Sequence, residues 1–159
     1  MTELGTARRV GDRTEMRFVR QLPHPPAAVW AAITDPEWVR RWLGELQVEL
    51  RLGGSYALRW LNGDASTTGS ITALEPERLL EVATDVHGTL RWELTPEDHD
   101  ATRLVFTATT PLDSPEPERN LAGWHWHLDT LAMALEGHQE DWAQWDLPRW
   151  ERLYARYTA

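Results

Sequence analysis

The stretch from Pro117 to Gly137 constrains the fold most, because it is long and periodic enough to form a complete helix. Its apolar residues follow one another at spacings of three and four, which places on one helical face Leu121, Trp124, Leu128, Leu131 and Leu135. Ser114 and Glu118 mark a start and Gly137 marks a stop. About 20 residues at roughly 1.5 Å each give a rod of about 30 Å. Such a helix predicts a sheet beneath its apolar face.

The segment between residues 46 and 110 has the pattern of an antiparallel sheet. Apolar residues alternate with polar ones in short runs, and turn residues such as Gly53-Gly54 and Asn62-Gly63 separate the runs. Six strands are predicted here, at residues 46–52, 56–60, 67–74, 79–86, 90–94 and 104–108. A first strand at residues 14–22 brings the predicted total to seven.

Two short helices are predicted between the first strand and the others. Pro25-Pro26 opens the first helix, whose apolar positions include Val29, Trp30 and Ile33. Asp35 is a typical N-cap before Pro36, and the second helix carries Trp38, Val39 and Trp42. This elbow is expected to close one end of the sheet, with Trp30 and Trp38 in the core.

The chain of 159 residues is expected to form one domain, at residues 14–137. Residues 1–13 are polar and aperiodic, which predicts a flexible tail. Residues 138–159 are predicted to form a C-terminal helical extension, capped by Asp146, with an apolar face of Trp150, Leu153, Tyr154 and Tyr157. Either this face packs on its own domain, or with Trp142 and Trp145 it forms a homodimer contact or a flap over a cavity.

Charge and composition exclude several classes of function. A net charge of -9 opposes binding to nucleic acid or to an anionic membrane surface. The absence of cysteine excludes disulfides and thiolate metal sites, and the absence of lysine excludes Schiff-base chemistry. No N-terminal apolar run resembles a signal peptide, so the expected location is the cytoplasm.

The sequence offers no metal site and no assigned catalytic residue. His125 and His127 are two residues apart, whereas a two-histidine site on one helix needs a spacing of four. His125 and Asp129 have that spacing, but two ligands are too few for a closed site. Neither a serine triad nor a glycine-rich phosphate loop is present, and no cofactor is expected. One of the two histidines either serves a cavity by hydrogen bonding or acid-base chemistry, or lies at the surface or its boundary.

The order of elements predicts an α+β fold in which a seven-stranded antiparallel sheet wraps around the long helix. Several runs then resemble, in order, the START-like superfamily of helix-grip domains, also called SRPBCC: RFVRQLPHPPAAVWAAITDPEWVRRWL, LRLGGSYAL, GSITALEPERLL, TRLVFT and GWHWHLDTLAMALEG. More narrowly, they resemble the branch named after the activator of heat-shock-protein-90 ATPase. The resemblance implies a deep cavity between sheet and helix, which the superfamily uses for lipids, hormones, polyketides and occasionally catalysis.

The candidate ligand-binding residues are those expected to face that cavity: Arg20, Trp42, Tyr56, Leu58, Trp60, Trp92, Phe106, Trp124, His127 and Leu128. Arg20 lies on the apolar side of the first strand, where it either reaches solvent or is a buried anchor for an anion. The tryptophans either line the cavity or fill it. A binding role requires an internal void above about 300 Å³, the lower end for ligand pockets.

Three functions are compatible with these residues. The preferred one is binding of an apolar or aromatic small molecule, lipid-like or polyketide-like. The alternatives are a cavity enzyme of the cyclase, aromatase or hydrolase type, and a chaperone-regulating interaction domain. Only about 15 residues precede the first predicted strand, so we expect that this chain alone does not stimulate a chaperone's ATPase. Fold alone does not decide among the three.

Overall fold

The structure is a computed structural model, and it describes residues 2–61, 65–85, 87–111, 117–139 and 146–159. Within these ranges the chain forms eight strands and four helices, in the order β1 (Thr6–Val10), β2 (Arg13–Leu22), α1 (Pro26–Thr34), α2 (Pro36–Val39), β3 (Gly44–Val48), β4 (Ser55–Trp60), β5 (Ser66–Glu75), β6 (Leu79–Thr84), β7 (Thr89–Glu97), β8 (Ala101–Pro111), α3 (Pro117–Leu135) and α4 (Leu147–Thr158). The predicted Asn62-Gly63 turn and the Ser114 start signal lie outside the described residues.

The eight strands form one antiparallel sheet in the order β1-β2-β8-β7-β6-β5-β4-β3. Most neighbours in the sheet are also neighbours in sequence. The exception among the described strands is the pairing of β2 with β8, whose register joins Arg13 to Pro111 and Leu22 to Thr102. The predicted α+β helix-grip architecture is confirmed, with one strand more than expected.

The core lies between one face of this sheet and α3. Leu128 and Leu131 are fully buried, as the apolar stripe predicts, and they share one hydrophobic cluster with strand residues such as Phe18, Leu58 and Phe106. The elbow of α1 and α2 joins the same cluster. Asp35 caps α2 by accepting a hydrogen bond from the Glu37 main-chain N–H at 3.0 Å, as expected.

The elbow also fixes an indole ring in the core. Trp42 donates from Nε1 to the Ala32 carbonyl oxygen at 2.8 Å, so its polar atom is satisfied although the side chain is fully buried. Trp30 and Trp38 are only partly buried against the cluster. Arg41 covers Trp38, with its guanidinium 4.4 Å from the ring centroid. The placement of these two rings in the core is therefore only partly correct.

The start of the chain differs from the prediction, because residues 6–10 form β1 rather than a flexible tail. All five residues of β1 are exposed, so this edge strand has no alternating pattern that the sequence could reveal. Its main chain pairs with β2, and Arg8 forms an ion pair with Glu15 at 3.0 Å. Gly5 packs so closely on Phe18 that a Cβ there would collide with the ring.

The second predicted strand is too long. β3 ends at Val48, and Leu50 and Leu52, predicted on its apolar face, are exposed. The chain turns back through Gly53, whose φ of 78° favours glycine, and a Cβ at Gly54 would collide with the Glu49 carbonyl oxygen. Two consecutive glycines are therefore required at this turn.

The C-terminal helix α4 packs against α3. Asp146 caps it by accepting from the Arg149 main-chain N–H at 2.9 Å, as predicted. Leu153 is buried in a second small cluster with Ala122 and Trp126 of α3, and Trp150 packs beside Trp126 at 6.2 Å between ring centroids. Trp142 and Trp145, which the homodimer and flap alternatives require, lie outside the described residues.

Candidate functional site

A cleft of ≈ 250 Å³ lies beside the first half of α3. Its walls come from the end of β4, from the turn after β6 and from one face of α3. The residues that line it are Trp60, Ala65, His87, Arg119, Asn120, Gly123, Trp124 and His127. No acidic side chain lines the cleft among the residues that the structure describes.

Two indole rings form the apolar walls of the cleft. Trp60 and Trp124 meet edge to face, with ring centroids 5.5 Å apart and planes at 70°. Trp60 is held in orientation because its Nε1 donates to Thr67 Oγ1 at 2.9 Å. The same ring contacts both imidazoles, at 5.1 Å for His87 and 5.3 Å for His127. Trp60 is therefore the centre of the site.

Both histidines of the cleft are neutral at pH 7. Burial lowers the pKa of His127 to about 4, although a hydrogen bond with the Trp42 main chain acts in the opposite direction. Burial also lowers the pKa of His87, and the negative charge of Asp85 opposes this shift. A neutral imidazole presents one N–H donor and one nitrogen acceptor. The cleft thus combines aromatic walls and two uncharged imidazoles with one cationic side chain, Arg119.

The α3 side of the cleft is open at Gly123. A Cβ built on this glycine would meet no atom within 4 Å, so the missing side chain leaves space rather than avoiding a collision. Arg119 and Asn120 lie one turn nearer the start of the helix. The Arg119 guanidinium is 5.5 Å from the ring centroid of Tyr154 in α4. The beginning of α3 therefore forms the rim of the cleft.

Beyond the cleft, aromatic rings fill the space between sheet and helix. Trp124 packs on Phe106 at 4.6 Å, and Phe106 packs on Trp92 at 4.2 Å between centroids. Trp92 in turn meets Trp42 at 6.0 Å. Of the deep cavity that the resemblance implies, the described residues show this cleft at one end. Its ≈ 250 Å³ is below the 300 Å³ stated above as the lower end for ligand pockets, so the cleft suits only a molecule smaller than the ligands expected from the sequence.

Three of the ten candidate residues line the cleft, namely Trp60, Trp124 and His127. Trp42, Trp92 and Phe106 continue its aromatic wall into the core. Tyr56, Leu58 and Leu128 are buried elsewhere in the same core and do not line the cleft. Burial raises the pKa of Tyr56, so its hydroxyl stays protonated.

Arg20 is buried rather than extended to solvent, so the first of its two predicted alternatives is wrong. Only 6% of the side chain's surface is exposed. Its Nη1 donates to the Val19 carbonyl oxygen at 2.8 Å, while Nε and Nη2 have no hydrogen-bond partner within the described residues. Burial lowers its pKa, and the charge of Asp129 opposes that shift. Arg20 does not line the cleft.

His87, Asn120 and Gly123 were not among the candidates. Positions 120, 123, 124 and 127 lie at i, i+3, i+4 and i+7 on α3, so the helical period that located Trp124 and His127 also contains this signal. His87 carries no comparable signal, because it lies in a turn whose direction depends on the pairing of β6 with β7.

His125, the other histidine of the motif, lies away from the cleft in a buried network. Gly5 N–H donates to Tyr157 Oη at 2.8 Å, which directs the tyrosine proton to His125 Nδ1 at 2.7 Å. His125 Nε2–H then donates to Thr2 Oγ1 at 2.6 Å, and Thr2 donates to Asp129 Oδ1 at 2.9 Å.

This network fixes the tautomer and charge of His125. Burial lowers its pKa to about 3, and the positive charges of Arg20 and Arg156 add to the shift. The neutral ring is fully buried, so the interpretation of His125 as a surface or boundary residue is wrong. No group of three or more metal-ligating side chains occurs in the part of the chain that the structure describes.

Solved structures with the same fold cover nearly all of the chain. A conserved protein of unknown function from Enterococcus faecalis, EF2215, is 23% identical, with a TM-score of 0.77 over 97% of this chain and 90% of its own. CalU16 from Micromonospora echinospora is 24% identical, with a TM-score of 0.73 over 96% and 90%. DynU16, from the dynemicin biosynthetic locus, is 27% identical, with a TM-score of 0.66 over 77% and 47%. No curated protein matches significantly.

None of the described helices is both long and apolar enough to cross a membrane. The family model for activator of Hsp90 ATPase homolog 1-like proteins matches residues 23–136, which include β3 to β8 and the whole of α3. The elbow, the meander and the gripped helix that carried the resemblance all lie in this range. The chain therefore belongs to the family of activator of Hsp90 ATPase homolog 1-like proteins.

Proposed function

We propose that this protein binds a small aromatic molecule bearing a hydroxyl group, in the cleft between Trp60 and Trp124. The observation that carries the proposal is the meeting of two indoles and two neutral imidazoles around unfilled space at Gly123. Ligand sites are mostly apolar with a few placed polar groups, and this cleft has that composition.

The volume of the cleft limits the size of the ligand. An apolar cavity of about 150 Å³ holds benzene. A cleft of ≈ 250 Å³ therefore suits one ring or two fused rings, and is small for the lipid-like ligands considered from the sequence. A ring there contacts the indoles of Trp60 and Trp124, with aromatic pairs contributing about 0.5–1.5 kcal/mol each beyond burial.

The two imidazoles determine which polar group the ligand is expected to carry. His87 and His127 carry no charge at pH 7, so the imidazoles do not attract a carboxylate strongly, but each accepts or donates one hydrogen bond. Arg119 also lines the cleft and adds a donor for the oxygen of the hydroxyl group, while its guanidinium lies 5.5 Å from the Tyr154 ring. A phenolic O–H supplies a matching donor and acceptor. The location of DynU16 in a biosynthetic locus is compatible with a small-molecule ligand for members of this fold.

The test is a titration with 2-naphthol, followed through the indole N–H resonances of the ten tryptophans. We expect saturable shifts of the Trp60 and Trp124 resonances and none for Trp150, which lies in α4 and packs beside Trp126. A four-ring phenol such as 1-hydroxypyrene is expected to bind at least tenfold more weakly, because it exceeds the cleft. Absence of saturable shifts with 2-naphthol contradicts the proposal.

Gly123 provides the matched variants. Gly123→Leu places a side chain in the cleft and is expected to weaken 2-naphthol binding at least tenfold, whereas Gly123→Ala adds one methyl group and changes it by less than about threefold. Trp124→Ala also removes a wall, but this truncation costs about 3–5 kcal/mol of stability because the ring packs on Phe106. Equal affinity of Gly123→Leu and the unaltered protein would place the ligand elsewhere.

A further inference from the structure

A second concavity lies between α3 and α4 and is larger than the cleft. This groove has a volume of ≈ 900 Å³ and is lined by Thr2, Asp129, Ala132, Met133, Arg149, Arg152, Leu153 and Arg156. Four of these residues belong to α4, and Thr2 to the start of the chain, outside the residues that the family model matches. The groove is therefore separate from the Trp60 cleft and is formed largely by segments outside the family match.

One wall of the groove is positively charged. Arg149, Arg152 and Arg156 follow at spacings of three and four, so they lie on one face of α4. In the described part of the chain, none of the three has a carboxylate oxygen within 4.0 Å. Three such arginines in one groove stand out in a chain of net charge -9.

One carboxylate, that of Asp129, is present among the described residues of the groove, against three arginines. Asp129 accepts from Thr2 and lies 3.5 Å from His125, and it interacts electrostatically with Arg149 and Arg156 without a contact within 4.0 Å. Arg149 lies over the Trp126 ring at 4.0 Å, and Arg156 donates to the Thr2 carbonyl oxygen at 2.8 Å. These contacts hold two guanidiniums in place without an ion pair, while Arg152 is exposed.

The opposite part of the groove is apolar. Ala132 and Met133 of α3 and Leu153 of α4 line it. A methionine adapts its shape to an irregular apolar partner. The first and last of the three arginines are seven residues apart on α4, or about 10 Å along the helix. An elongated molecule with an apolar body and an anionic end matches both walls, and the volume is within the usual range for small-molecule sites.

We propose that this groove binds an organic carboxylate with an extended apolar chain. The carboxylate lies at Arg152 with Arg149 and Arg156 on either side, and the chain lies along Ala132, Met133 and Leu153. Arginine suits this role because its planar guanidinium donates two parallel hydrogen bonds to one carboxylate. The proposal does not depend on ligand binding at Trp60.

The test is calorimetric titration with dodecanoate, below its micelle concentration, in 50 mM NaCl at pH 7.5. We expect saturable binding that weakens several-fold in 300 mM NaCl, because exposed charges are screened. Dodecanol, which has the same chain without the charge, is expected to bind at least tenfold more weakly. Equal binding of dodecanol, or no saturable heat with dodecanoate, overturns the proposal.

Substitutions at Arg152 locate the site. This side chain is exposed and makes no ion pair in the described structure, so its replacement leaves the fold intact. Arg152→Gln is expected to weaken dodecanoate binding three- to tenfold and Arg152→Glu more than tenfold, whereas Arg78→Gln, at an exposed turn between β5 and β6, leaves it unchanged. If Gly123→Leu abolishes binding and Arg152→Glu does not, the carboxylate binds in the cleft and the groove assignment is wrong.

Discussion

The two sides of α3 are built from different chemistry. The side that faces the sheet carries Trp124, Leu128 and Leu131 and packs against apolar strand residues, with one small cleft at its end. The side that faces α4 holds the fully buried His125, which is hydrogen-bonded to Tyr157 and Thr2. One side is stabilised mainly by apolar burial, and the other also depends on satisfied polar groups.

This difference separates what the family shares from what the chain adds. The sheet-facing side lies within the residues that the family model matches. The network on the other side needs Thr2 and Tyr157, which lie outside that range and are far apart in sequence. Apolar packing tolerates volume-conserving changes, whereas a buried polar network fails when one partner is lost. The two sides should therefore respond differently to substitution.

The largest expected effect is on the sheet-facing side. Leu131→Ala removes a fully buried side chain from the core and is expected to lower the free energy of unfolding by about 2–5 kcal/mol. Leu147→Ala, at a half-exposed position in α4, serves as the control and should change it by less than about 0.5 kcal/mol. Urea denaturation measures both. Similar values for the two variants would contradict the assignment of α3 as the gripped helix.

The next largest effect on stability is expected on the side of α3 that faces α4, where His125 is hydrogen-bonded. Tyr157→Phe leaves the Gly5 N–H and His125 Nδ1 without their partner and is expected to cost about 1–3 kcal/mol. Tyr154→Phe is the matched control, because its ring stacks on Trp150 and its hydroxyl makes no hydrogen bond within the described residues. Hydrogen exchange should show the Gly5 amide losing protection in the Tyr157 variant alone. Retained protection there would show that the network does not hold the start of the chain.

The two sides of α3 can also be compared by the pH dependence of stability, because each side carries a buried histidine. Folded pKa values of about 3 for His125 and about 4 for His127 lie below the usual 6.5, so the unfolded chain binds more protons at intermediate pH. The free energy of unfolding is therefore highest above pH 6.5. Between pH 7 and 5.5, each histidine lowers it by about 1 kcal/mol. Burial raises the pKa of Asp129, which acts in the opposite direction at lower pH.

The measurement is the urea midpoint between pH 7.5 and 4 for the protein and for His125→Asn and His127→Asn. Each variant should lose less stability in acid than the unaltered protein. Below pH 4 the remaining loss belongs mainly to His125, because the pKa of His127 has been passed. A pH profile unchanged by both substitutions would mean that neither ring is held neutral.

The smallest effect tests the empty space beside Trp124. Gly123→Ala is expected to stabilise the protein by up to about 1 kcal/mol, because alanine favours a helix and its methyl group meets no atom within 4 Å. Gly69→Ala in β5 is the contrasting variant, since a Cβ there collides with the Ala83 carbonyl oxygen. Thermal unfolding distinguishes the two. Destabilisation by Gly123→Ala would mean that the cleft is narrower than described.

Sequence periodicity located the sheet-facing side well, because burial on one face produces a regular spacing. Leu121, Trp124, Leu128 and Leu131 are all buried as their spacing predicts. The same reasoning failed where burial comes from distant segments. His125 lies off the apolar stripe and is buried by distant segments, namely α4, Thr2 and Phe18 of β2, which no local pattern encodes.

The size of the cavity could not be predicted from the sequence, for a different physical reason. The spacing of apolar residues predicts that Trp42, Trp92 and Phe106 face the interior, but not whether their rings leave space or occupy it. That outcome depends on ring orientation, such as the 39° between the planes of Trp92 and Phe106. Edge strand β1 was missed because its side chains are all exposed, so only main-chain pairing holds it.

The pairing of β2 with β8 also has a consequence for how the chain folds. Every other pairing among the described strands joins neighbours along the chain, so those hairpins form by closing short loops. Pairing Leu22 with Thr102 closes a loop of some eighty residues. The chain loses the conformational entropy of that loop before the contacts between β2 and β8 compensate for it. Long-range pairings of this kind slow folding. We therefore expect the meander to form early, with docking of β2 as the slow step that completes the sheet around α3.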